Sequence, residues 1–143
     1  MIDQQKAMEY FSQGIDCSQV VLGEFAEEMG LDEETARKVS AAFGGGIWHG
    51  EVCGAVAGAM MVIGLKYGHY LEGDETSKNI MVKKINEFKE AFEASHGTIV
   101  CKELLGYKIP EQLEEIMEKQ LFFQEEKCPQ YVCTAIDILK KIL

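Results

Sequence analysis

No stretch of this chain alternates apolar and polar residues with turn signals at hairpin spacing, so strands are not expected. Proline is scarce: Pro110 and Pro129 are the only two, and both sit where helices would begin. Long apolar runs are lacking as well. The most apolar one, 52–65, is bounded by Glu51 and Lys66. It falls short of the roughly 20 residues that a spanning helix needs and is expected to be a buried helix. Positive charge is in deficit, with a net charge of −10 and a pI near 4.8. Such a surface repels phosphate backbones and anionic lipid, so neither nucleic acid nor membrane is expected as a partner. The opening MIDQQKAMEYF carries an early acid and no apolar core, unlike a signal peptide. A cytoplasmic protein is expected, in a compartment where structural disulfides are rare. CxxC is absent too, which weakens any thioredoxin-like reading.

What fills the chain is a helix-forming mixture of Glu, Lys, Ala, Leu, Met and Ile between turn residues. The expected fold is all-α: a single domain over 1–143, a compact multi-helix bundle. Helices are predicted over 4–11, 16–30, 32–43, 51–67, 75–95, 99–105, 110–122 and 128–143. Asp16 with Gln19 makes a capping-box pattern, Asp32 and Thr98 are further caps, and Gly68, Gly97 and Gly106 are stops. On the fifth helix, Ile80, Ile85, Phe88 and Phe92 fall on roughly one side. In the fourth, Gly54 and Gly58 form a GxxxG pair beside Ala55 and Ala59, which lets a second backbone approach closely. That pair is expected to serve core packing, with 51–67 as the central helix; in a non-catalytic module the same helix would instead serve a homodimer.

Five cysteines in a reducing compartment need a reason. They are inert core thiols, metal or cluster ligands, or redox-active groups. Cys17 follows the Asp16 cap, Cys53 lies in the first turn after a glycine loop, Cys101 lies three residues beyond Thr98, and Cys128 directly precedes Pro129. All four fall at predicted helix starts, and only Cys133 falls in a helix interior. A helix start offers unpaired N–H groups and about half a positive charge, which favour a sulfur anion. The thiolate is both the nucleophile and the metal ligand. Inert thiols would fall mostly in helix interiors, as Cys133 does.

The loop FGGGIWHG before Cys53 is not a phosphate loop, since no Lys-Ser or Lys-Thr follows its last glycine, and no strand precedes it for dinucleotide binding. No nucleotide is expected. Gly44, Gly45 and Gly46 can instead aim backbone N–H groups at an anion such as a thiolate or a cluster sulfide. His49, four residues before Cys53, is a candidate base or ligand. Trp48 is expected to be a structural plug. His69 and His96, at helix ends, are assigned no chemistry, and Glu114–Glu115 and Glu125–Glu126 are expected to be solvated surface.

Cys17-Ser18-Gln19, Gly44-Gly45-Gly46, Gly50 to Gly58, Cys101 to Gly106 and Cys128-Pro129 with Val132 together resemble the bacterial C_GCAxxG_C_C family of redox-active proteins. The resemblance runs from Cys17 into the final helix. It implies that Cys17, Cys53, Cys101 and Cys128 are the characteristic cysteines, with Cys133 outside the set, and that the role is redox. The family name places glycine before the central cysteine, whereas here Val52 precedes Cys53 and Gly54 follows it.

The expectation is a redox protein, an oxidoreductase or electron carrier, with an unidentified redox partner. Its four cysteines form one centre, either cycling between thiols and disulfides or ligating an iron–sulfur cluster or other soft metal. The alternative is a non-catalytic helical binding or oligomerisation module with inert buried thiols.

Overall fold

The computed structural model describes residues 2–119, 121 and 127–143. Every regular element among them is helical. The helices are α1 (Gln4–Ser12), α2 (Cys17–Ala26), α3 (Glu33–Ala41), α4 (Gly54–Tyr67), α5 (Glu75–His96), α6 (Cys101–Leu105), α7 (Leu113–Glu118) and α8 (Lys127–Ile142). None is long and apolar enough to cross a membrane. The all-α bundle expected from composition is what the chain forms.

The helix punctuation follows local chemistry. Asp3, Asp32 and Asp74 each cap a helix by accepting a backbone N–H three residues on. At α2 the Asp16 N–H donates to Gln19 Oε1 at 2.8 Å, half of the capping box the spacing predicted. Gly30, Gly97 and Gly106 end their helices in the left-handed region. After α2 the chain tightens into a short turn, Glu27–Met29, before Gly30.

At the centre, α4 lies against α2, α8 packs across both, and α5 packs on α4 and α8. The GxxxG pair explains how closely α2 and α4 approach. A Cβ on Gly58 would come within 2.7 Å of the Ser18 carbonyl oxygen and 3.1 Å of Val21 Cβ. A Cβ on Gly54 would strike the sulfur of Cys17. Ala55 and Ala59 are fully buried beside them. The same region is pinned by two buried serines: Ser18 Oγ donates to the Ser40 carbonyl at 2.7 Å, and Ser40 Oγ donates to that of Ala36 at 2.6 Å. On α5, Phe88 and Phe92 are buried, whereas Ile80 is 45% exposed. The side that carries these residues turns away from the core at its N-terminal end.

Several boundaries differ from expectation. The fourth helix begins at Gly54, because 51–53 is extended and pairs with the chain before α6 through an antiparallel bridge of Val52 with Val100. The sixth begins at Cys101, with Thr98 Oγ1 accepting the Val100 N–H at 3.1 Å. Of the segment predicted as helical from Pro110 to Phe122, Leu113–Glu118 is helical and 110–112, 119 and 121 are not; Gln120, Phe122 and Glu125–Glu126 lie outside the described residues.

Two glycines of α4 should respond oppositely to a methyl group. Gly58→Ala should lower stability by up to about 2 kcal/mol, since overpacking costs about 1–3 against about 1 gained in helix propensity. Gly64→Ala meets nothing within 4 Å and should raise stability by about 0.5–1 kcal/mol. Urea unfolding of the two variants beside the parent protein checks both signs.

Candidate functional site: four cysteines around one cavity

The extended pair before α4 and α6 brings the first two sulfurs together. The Cys53 N–H donates to the Ile99 carbonyl at 2.7 Å, and the Cys101 N–H donates to that of Glu51 at 2.6 Å. Alternate side chains of extended backbone face opposite ways, and Val52 is left exposed while Cys53 and Cys101 are buried. Cys53 is the N-cap of α4 and Cys101 the first residue of α6.

The other two come from opposite ends of the chain. Cys17 opens α2, held against α4 by the missing side chain of Gly54. Cys128 is the second residue of α8, which starts one residue earlier than Cys128-Pro129 implied. All four line a single small cavity of about 10 Å³, along with Gly45, Gly54, Leu104, Leu105 and Tyr131. That is room for about one water molecule. Tyr131 holds its place by donating its hydroxyl to the Leu104 carbonyl at 3.0 Å. Cys133 lies elsewhere, half-buried on α8 and close enough to Asp137 and Asp3 to feel their charge.

The glycine loop forms part of the wall. Gly45 and Gly46 take positive φ, 57° and 64°, and Gly45 lines the cavity with its N–H facing the Cys17 sulfur. A Cβ on Gly46 would come within 2.8 Å of Cys101 Cβ. Gly44 packs on Asp16 instead, where a Cβ would meet Asp16 Cβ at 2.9 Å. The next two residues, Ile47 and Trp48, also have positive φ, 53° and 60°. For a β-branched isoleucine this is a strained conformation, costing on the order of 1–3 kcal/mol. Trp48 Nε1 donates to the Ala41 carbonyl at 3.2 Å, which helps hold the loop there. His49 is exposed and does not line the cavity.

Placement at helix starts holds, but its expected electrostatic result does not. Burial pushes the thiols of Cys17, Cys53 and Cys101 up to about 12, and mutual repulsion between neighbouring sulfurs adds to the rise. Burial raises Cys128 well above the ordinary thiol range too, with repulsion from Cys17, Cys53 and Cys101 contributing. Backbone N–H groups of Gly45 and Ser18 at Cys17, and of Val56 and Ala55 at Cys53, pull the other way and lose. An anion in an apolar cavity forfeits its hydration, and a helix start restores only part of it. The centre is therefore four neutral thiols at ordinary pH. Among the described residues no three His, Cys, Asp or Glu side chains stand close enough together to grip one metal ion. The donor set suits a soft metal, but this spacing does not fit one.

Two features escaped sequence reasoning. Asp16 is a partly buried carboxyl beside Cys17, its pKa raised to about 6 by burial; its role as a cap hid it. Tyr131 was one aromatic among many on a helix face. His96, given no chemistry, bonds Thr134 Oγ1 through Nε2 at 2.9 Å and rests edge-on against the Tyr131 ring. Burial holds its pKa down rather than the helix end raising it.

A family model described as "Putative redox-active protein (C_GCAxxG_C_C)" matches residues 15–142. No curated protein and no solved structure matches the chain.

The raised thiol pKa values make stability depend on alkaline pH. Between about 9 and 12 the folded protein keeps protons that the unfolded chain has released. Stability is therefore full below about 9 and is lost as pH rises toward 12, by about 1.4 kcal/mol per pH unit for each thiol that stays protonated. Urea unfolding of the reduced protein across this range should show the decline, and Cys53→Ser should make it shallower.

Proposed function

The chain belongs to the C_GCAxxG_C_C family, and from that premise we propose that Cys17, Cys53, Cys101 and Cys128 form one redox centre that cycles between thiols and disulfides. The observation that carries this reading is the convergence of four thiols, three buried and that of Cys17 partly so, on a single cavity of about 10 Å³. In such a space an S–S bond requires no added volume and no buried charge. Two neutral thiols become one neutral disulfide, releasing two electrons and two protons. The apolar wall, costly for a thiolate, tolerates both end states. The protein then acts as an oxidoreductase or electron carrier toward a redox partner.

A second reading draws on the backbone N–H groups that face Cys17 and Cys53, since these favour sulfur anions. In it the same four cysteines would hold an iron–sulfur cluster or other soft metal, which supplies electron transfer when bound. It requires the four helix starts to shift from their present spacing. Gly45 would then contribute an N–H to the ligand sphere, and His49 would remain outside it.

Anaerobic purification separates the two. A colourless protein whose free-thiol count falls by two or four on mild oxidation supports the thiol reading. Bound iron and sulfide with a visible absorption band support the second. Five thiols that stay free under oxidation, without metal, contradict both. In the thiol reading two protons accompany two electrons at every pH below the thiol pKa values. The midpoint potential should therefore fall by about 59 mV per pH unit, without levelling, up to about pH 10. A pair with ordinary thiol pKa values would level off above about pH 9. Cys17→Ser should remove the transition of the pair that Cys17 belongs to.

A further inference from the structure

A second cavity, of about 360 Å³, shares Cys17, Gly45 and Cys128 with the four-cysteine cavity. Its volume lies in the range of sites that hold small organic molecules. Its walls are apolar, including Phe11, Trp48, Leu113, Ile116 and Met117. Among the described residues its only ionisable side chain apart from the two cysteines is Asp16, and no Lys, Arg or His lines it. An anionic ligand would meet a carboxylate and no cation, inside a protein of net charge −10. That excludes nucleotides and carboxylated thiols such as glutathione as well-held occupants. What fits is neutral and apolar, and it must exchange electrons with sulfurs that burial keeps protonated. A disulfide substrate is a poor match, because exchange begins from a thiolate. An acceptor that takes protons together with electrons creates no net buried charge.

We propose that this cavity is the substrate site of the centre and seats a neutral quinone against Cys17 and Cys128. The proposal rests on the thiol–disulfide reading. The two S–H bonds break and one S–S bond forms between Cys17 and Cys128; two electrons and two protons pass to the quinone oxygens, giving the hydroquinone. In the reverse step the hydroquinone gives two electrons and two protons to the disulfide, restoring the two S–H bonds and leaving the quinone. Trp48, on the wall of the site, is the only tryptophan in the chain and reports its occupancy directly.

The test uses the full chain and duroquinone, whose fully substituted ring leaves no free carbon for thiol addition. With the oxidised protein, duroquinone should quench Trp48 fluorescence saturably, and anionic anthraquinone-2-sulfonate should not. Met117 is 62% exposed and Leu113 59% exposed, so Met117→Glu and Leu113→Glu place a charge at the wall without disturbing the core. Each should weaken duroquinone binding at least tenfold, with an unchanged far-ultraviolet spectrum. With the reduced protein, one equivalent of duroquinone should be consumed per two thiols lost. Linear quenching that is equal for both quinones, or binding indifferent to the two substitutions, overturns the site. If ferricyanide or diamide oxidises the thiols and duroquinone does not, the site falls while the redox centre stands. If no oxidant removes thiols, the centre falls with it.

Discussion

The close approach of α2 and α4 is the contact on which the four-cysteine arrangement depends. Gly54 has no side chain, and the sulfur of Cys17 occupies the space where one would be. One turn on, Gly58 lets the Ser18 backbone settle against α4. The loss of two side chains thus sets Cys17 beside the start of α4, where Cys53 is the cap. The Val52–Val100 bridge then adds Cys101, and the packing of α8 across α2 and α4 adds Cys128. Each step joins residues distant in sequence through backbone packing rather than through the sulfurs themselves. The scaffold can therefore hold the thiols in place whether or not they are bonded.

The chemistry of the centre is decided by a contest between helix ends and burial. Helix starts and glycine N–H groups favour a sulfur anion, whereas four sulfurs in one apolar cavity oppose any anion and oppose each other. Burial wins at Cys17, Cys53 and Cys101 and pushes their thiols up to about 12. In the thiol–disulfide cycle proposed above, this balance favours reactions in which charge is conserved and would tie proton transfer to electron transfer.

Much of this was legible in the sequence, and the reasons are local. Caps at Asp16 and Asp32, stops at Gly97 and Gly106, and the small residues of α4 signal themselves through side-chain chemistry within a few positions. The cysteines could be placed at helix starts for the same reason. What stayed hidden was non-local. The bridge between Val52 and Val100 is one residue pair wide, too short to show alternation, and it moved the starts of α4 and α6 onto Cys53 and Cys101. The direction of the pKa shifts depends on burial by several elements at once, which no helix-end rule contains. His49 looked suited to chemistry because it is close to Cys53 in sequence; the left-handed turn through Ile47 and Trp48 leaves it at the surface. Asp16 was recognised as a cap, but its second position, on the wall of a cavity beside Cys17, requires the packed structure.

The most direct test of the central claim is to map every disulfide by mass spectrometry after oxidising the folded, reduced protein. The account predicts intramolecular bonds drawn only from Cys17, Cys53, Cys101 and Cys128, with Cys133 free. A bond that includes Cys133, or bonds found only between chains, would contradict a single four-cysteine centre.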